Sequence, residues 1–203
     1  MRRALLLLII VLFGLQCVGC TFFADTNKGG NVTSLKEISD NQKLPNKGAE
    51  TINKNSNLSK TYQDPKWGFS INYPSSWTEE RDAQKLSGGV IGFLDTQGTK
   101  YRKNLVVYCM PADPQVRVEQ ILVEAQNNIK RMGGNVSYTQ PIDVKMGNIS
   151  GKSFIVTDGR VKNLKSIAIY NNVVYIIDYV DLVENFQASE ALGLSIIGTF
   201  RAR

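Results

Sequence analysis

Histidine is absent from the 203 residues, and cysteine occurs only three times. The first absence removes the commonest metal ligand and the commonest general acid or base near neutral pH. The second leaves too little sulfur for a disulfide scaffold. No apolar run reaches the ~20 residues that a bilayer-spanning helix needs. Catalytic motifs are missing too: there is no nucleophile elbow and no Ser/Lys or Cys/His pair in a motif. Gly147-Asn148-Ile149-Ser150-Gly151-Lys152-Ser153 imitates a phosphate-binding loop, but its glycines are one residue too close. It also sits in a hairpin where a strand-to-helix turn is required. We expect no enzyme, no cofactor and no metal.

What is present begins with Arg2 and Arg3, followed by an apolar run from Ala4 to Leu15. A basic start and a short hydrophobic segment make an export leader. The run ends in Leu15-Gln16-Cys17-Val18-Gly19-Cys20, which resembles the lipobox of bacterial lipoproteins with Cys17 standing where Leu is usual. Residues 1–19 then form the signal peptide, and Cys20 becomes the acylated, palmitate-type lipid attachment site. An uncleaved anchor or plain secretion after a small residue remains open, and either way the domain faces outward. The cysteines divide accordingly into one in the leader, one at the anchor, and Cys109 as a small apolar residue of the domain.

Residues 20–60 hold the lipidated Cys and a linker rich in Asn, Lys, Ser, Thr and Gly, without a helical or strand period. Such a segment buries too little apolar surface to offset its ordering entropy, so it reads as disordered. The formal +6 and pI near 9.2 suggest nucleic acid until they are partitioned. Arg2 and Arg3 lie in the leader, and the linker has six lysines against four acids. The domain keeps 16 basic and 14 acidic residues, about +2, without a basic cluster interleaved with aromatics. No nucleic-acid partner is expected.

Residues 61–203 are enough for one ordinary core. Phe69, Ile71 and Tyr73 alternate with Ser70 and Asn72 between Gly68 and Pro74, the period of a half-buried strand, and Trp77 packs where the chain turns off it. Phe69, Tyr73 and Trp77 are the expected structural core. Thr78 to Lys85 reads as a loop or helical turn. Gly89–Asp95, Asn104–Met110, Asn135–Lys145 and Ile149–Asp158 read as strands, and Gln115–Met132 as an amphipathic helix closed by Gly133-Gly134. Asn171-Asn172 suits a two-residue type I′ turn, which sets Tyr170 opposite Val173 and, further along, Lys165 opposite Asp178. This ribbon is apolar on both faces, so helices must cover it on both sides: the long helix, and a C-terminal one with Phe186, Ser189, Leu192 and Ile196 inward. The expected fold class is α+β, an antiparallel sheet flanked by helices on both faces. Acids at Glu79, Glu80 and Asp82, and at Asp178, Asp181 and Glu184, lack the spacing of a calcium loop.

The segment Gly68-Phe69-x-Ile71-x-Tyr73-Pro74-x-x-Trp77, with Thr199-Phe200-Arg201 near the end, resembles the PsbP-like family over Thr61 to Arg203. That family is named for an extrinsic photosystem II subunit and includes bacterial lipoproteins. The resemblance implies the same α-β-α sandwich. It points to a monomeric, lipid-anchored docking module on the outer face of the cell membrane, with an unidentified protein partner. An extrinsic photosystem II (oxygen-evolving complex) subunit and a small-molecule or metal-ion carrier are the alternatives.

Overall fold

Asn171 and Asn172 both adopt left-handed backbone angles, φ 49° and 59°, so a two-residue turn joins its strands without strain against their twist. The register that follows is the expected one from Tyr170↔Val173 to Lys165↔Asp178. The computed structural model describes residues 58–97, 103–132 and 135–203. The leader, Cys20, residues 21–57 of the linker and the Gly133-Gly134 stop lie outside the described residues.

Eleven strands and two helices are defined there. The strands are β1 (Lys60–Asp64), β2 (Phe69–Tyr73), β3 (Trp77–Glu80), β4 (Ile91–Asp95), β5 (Asn104–Pro111), β6 (Val136–Tyr138), β7 (Ile142–Met146), β8 (Ile149–Asp158), β9 (Val161–Tyr170), β10 (Val173–Leu182) and β11 (Arg201–Ala202). Helix α1 spans Val118–Met132 and α2 spans Val183–Gly198. The large antiparallel sheet runs β3-β4-β5-β10-β9-β8-β6, with β7 also on β8, and a smaller one runs β1-β2-β11. The fold is α+β.

Alternation along β10 shows how the layers form. Val174 and Ile176 meet Ile121, Leu122 and Ala125 of α1, whereas Tyr175, Ile177 and Tyr179 meet Phe186, Ile196 and Ile197 of α2. Each helix thus covers one face. The second face needs an amendment to the expected sandwich, because the small sheet lies on it beside α2 and contributes Tyr62, Phe69, Ile71, Tyr73 and Ala202. Phe69 stacks on Phe200 with centroids 5.4 Å apart, and Tyr73 lies 4.4 Å from Phe93. Trp77 is 2% exposed.

Three further corrections arise. Thr78–Glu80, expected in a loop, continues β3, an edge strand whose outward residues are polar, so only Trp77 marks it as structured. Asn135–Lys145 is two strands, because Pro141 has no N–H to give and the Thr139 hydroxyl takes the Ile155 N–H at 3.0 Å in place of the ladder. Lys60, assigned above to the linker, opens β1, and Leu58 packs on the core.

Helix α2 carries Gly193, which looks like a weak point from propensity alone. A methyl group there would lie 2.7 Å from the Tyr179 ring, so this glycine is what lets the helix sit on the sheet. The helix ends at Thr199, whose hydroxyl donates to Ile196 O at 2.7 Å and accepts the Asn72 N–H at 2.9 Å. One side chain thereby caps α2 and ties it to β2.

Candidate functional site

Cys20, the expected attachment site, lies outside the described residues. Within them, both acidic clusters are dispersed rather than convergent. Glu79 accepts the Tyr73 hydroxyl at 2.8 Å and the Arg81 guanidinium at 2.6 and 3.1 Å. Burial works against its charged form, but the Arg81 and Tyr73 hydrogen bonds prevail and hold its carboxyl below the usual range. Glu80 is held low chiefly by the Asp82 backbone N–H. In the other cluster, Asp178 faces α1 while Asp181 faces α2, where it accepts the Ser189 hydroxyl at 2.5 Å. Their carboxylates leave opposite sides of β10, and Glu184 is exposed at the start of α2. Among the described residues no group of three or more Cys, Asp or Glu side chains is placed to hold a metal ion.

Beneath α1 the sheet is unexpectedly polar. Lys165 Nζ lies 2.7 Å from Asp178 Oδ2, with the two side chains 8% and 1% exposed. The pairing was legible from the turn, but its burial was not. Asp178 Oδ1, the Tyr108 hydroxyl, the Asn163 Oδ1 and the amide of Asn128 are buried around this face without a protein partner. Burial first, and then the charge of Asp178, pushes the Tyr108 hydroxyl far up.

A cleft of about 320 Å³ opens between the start of α1 and the β7–β8 hairpin, lined by Val116, Arg117, Glu119, Asp143, Lys152 and Ile169 among others. Lys152 donates to Asp143 at 2.7 Å, and that bond raises its ammonium pKa, with Glu119 adding to it. Sequence reasoning missed this cleft because its walls come from separate elements. Cys109 is half-buried on the core, and desolvation pushes its thiol well up, so it is protonated and inert.

Tyr62, Tyr73 and Tyr175 share a further property. Burial, joined by hydrogen bonds to Asp64 and Glu79 in the first two, pushes each hydroxyl up to about 12. An acid whose folded pKa exceeds its unfolded one keeps its proton longer in the fold. Stability therefore falls as pH rises from about 10 to about 12. Ultraviolet titration should show these three tyrosines silent through pH ~11 in the folded chain and ionising together as it unfolds. Normal ionisation near 10 would contradict the packing.

No protein-family model and no curated protein matches the sequence. Solved structures do match. The solution structure of cyanobacterial PsbP (CyanoP) from Synechocystis sp. PCC 6803 aligns at TM-score 0.56 and 15% identity, over 71% of this chain and 92% of that one. A protein of Bacteroides thetaiotaomicron VPI-5482 aligns at TM-score 0.51 and 18% identity over 72% of this chain, which spans about half (49%) of its length. At such identities the likeness is one of fold. This similarity, together with the large antiparallel sheet and two helices, shows that the chain has a PsbP-like fold.

Proposed function

We propose that this protein is a membrane-anchored extracytoplasmic lipoprotein, held by an acylated Cys20, whose PsbP-like domain is a non-catalytic docking module on a membrane or envelope protein. The outward side of α2 supports the reading most. Val183 and Leu194, 38% and 42% exposed, stand on one stripe with Gln187 and Ala191, and the helix has no lysine or arginine. Helix α1 exposes Val123 as well, but among Glu119, Lys130 and Arg131, charges of both signs, whereas the outward charges of α2 are the acids Glu184 and, partly buried beside Val183 and Leu194, Glu190. Among the described residues no helix is long and apolar enough to cross a membrane. The attachment proposed is by Cys20.

A tether restricts the search for a partner to the membrane plane and raises effective concentration, so a modest apolar face suffices. Pull-down from membranes tests this. The Cys20→Ala chain should leave the membrane fraction and lose capture by about 10²–10⁴-fold, while Leu194→Glu should stay in the membrane and lose the partner. Absence of a stable partner for the unaltered chain would end the docking reading. An extrinsic photosystem subunit is favoured only by the likeness to a cyanobacterial PsbP. A small-molecule carrier is favoured by the charged cleft at Lys152, and ligand-dependent thermal stabilisation lost in Lys152→Ala would reveal it.

A further inference from the structure

We propose that the outward face of the β1-β2-β11 sheet, with the Pro65–Gly68 turn, docks on anionic lipid headgroups. Strand alternation sends Tyr62, Phe69, Ile71 and Ala202 into the core and leaves Thr61, Gln63, Ser70 and Asn72 facing away from it, all uncharged, with Ser70 buried between Gln63 and Arg201. Arg201 and Arg203 are exposed on either side of buried Ala202, so they leave the backbone on the same side, and the Arg201 guanidinium then folds back onto Gly198 O and Phe200 O beside Gly147. The turn that carries exposed Lys66 is stitched to that edge, because the Arg203 N–H donates to Gly68 O at 2.8 Å. Three cations therefore share one surface.

Within β1, β2, β11 and the Pro65–Gly68 turn, Asp64 is the one side-chain acid. Asp64 points inward, where its carboxylate accepts the Trp67 N–H at 2.8 Å and the Tyr62 hydroxyl at 3.0 Å. Among the described residues Lys66, Arg201 and Arg203 form no ion pair with a carboxylate. Beside Lys66, whose Nζ lies 5.3 Å from its ring centroid, Trp67 packs in part on the core and is half-buried, so that part of the indole stays exposed at the turn. An amphipathic indole flanked by lysine suits the headgroup level of a bilayer. A fitted acidic site on a protein is better met by guanidinium forks held in place. Here only Arg201 is held, through Gly198 O and Phe200 O, while the tips of Lys66 and Arg203 have no such bond among the described residues. Cationic tips without a fixed hydrogen bond suit laterally mobile charge. Each is expected to contribute about fivefold near an anionic surface, so the three together contribute about 100-fold.

The inference stands apart from capture of a protein partner, which the pull-down tests separately. The full chain is reconstituted into vesicles of phosphatidylcholine alone or mixed with phosphatidylglycerol, and tryptophan quenching by acrylamide is read. Buried Trp77 supplies a constant background. Shielding of Trp67 should arise only in the anionic vesicles and fade with added salt. The Lys66→Gln/Arg201→Gln/Arg203→Gln chain should lower the ratio of shielded to exposed Trp67 by about 100-fold. Lys66→Gln/Arg203→Gln, which breaks no hydrogen bond, should lower it about 25-fold. Equal quenching in both vesicle types, indifference to these substitutions, or shielding that needs an acidic membrane protein would each overturn the proposal.

Discussion

Lys165→Met should destabilise the fold by about 3–5 kcal/mol, whereas Lys165→Met/Asp178→Leu should recover most of that loss. The single change leaves the Asp178 carboxylate facing α1 with neither oxygen paired, because Oδ1 already lacks a protein partner. The double change removes both charges and fills the space with apolar atoms, as Val106 and Phe154 do on the flanking strands. Lys152–Asp143 makes the control. Its N–O distance is the same 2.7 Å, but the Asp143 side chain is 89% exposed, so Asp143→Asn should leave the unfolding midpoint nearly unchanged. Denaturant unfolding followed by Trp77 fluorescence measures all three, with slopes that stay constant. A Lys165→Met cost below ~1 kcal/mol would mean that water reaches this pair and that α1 does not seal it.

The second large effect is expected at Gly147, where alanine should cost on the order of 3 kcal/mol or more by combining backbone strain with overpacking. Its φ is 60°, and an added Cβ would collide with the Phe200 carbonyl oxygen. Next to it Asn148 clasps one edge of β11, giving its Nδ2–H to Ala202 O at 2.8 Å and accepting the Ala202 N–H at 2.9 Å. Moving the turn aside would therefore break this clasp and loosen Phe200 from Phe69. Gly159 separates the two causes. It has φ 55° and open space where a Cβ would go, so Gly159→Ala should register only the strain, about 1–2 kcal/mol. If both glycines respond alike in chemical unfolding, crowding at Phe200 is not what Gly147 relieves.

Legibility followed distance along the chain. The β9–β10 register was readable because its turn and alternating residues lie within a few positions of one another. The strand at Phe69 was readable for the same reason, but its sheet was not. Phe69–Tyr73 joins β1 and β11 rather than the large sheet, and the tie from Asn72 to Thr199 spans 127 positions. Edge strand β3 was hidden by its polar outward residues, and the clasp at Asn148 by the 54 positions to Ala202.

The amino-acid order by itself determined the strand periods, the Asn171-Asn172 turn and the two helix-covered faces, since φ preferences and side-chain alternation act locally. Only the tertiary structure decided that the small sheet shares a face with α2, that Lys165 and Asp178 are sealed under α1, and that Arg201, Arg203 and Lys66 meet on one surface. Burial and charge clustering are properties of chain segments brought together from afar, and no local preference encodes which segments those are.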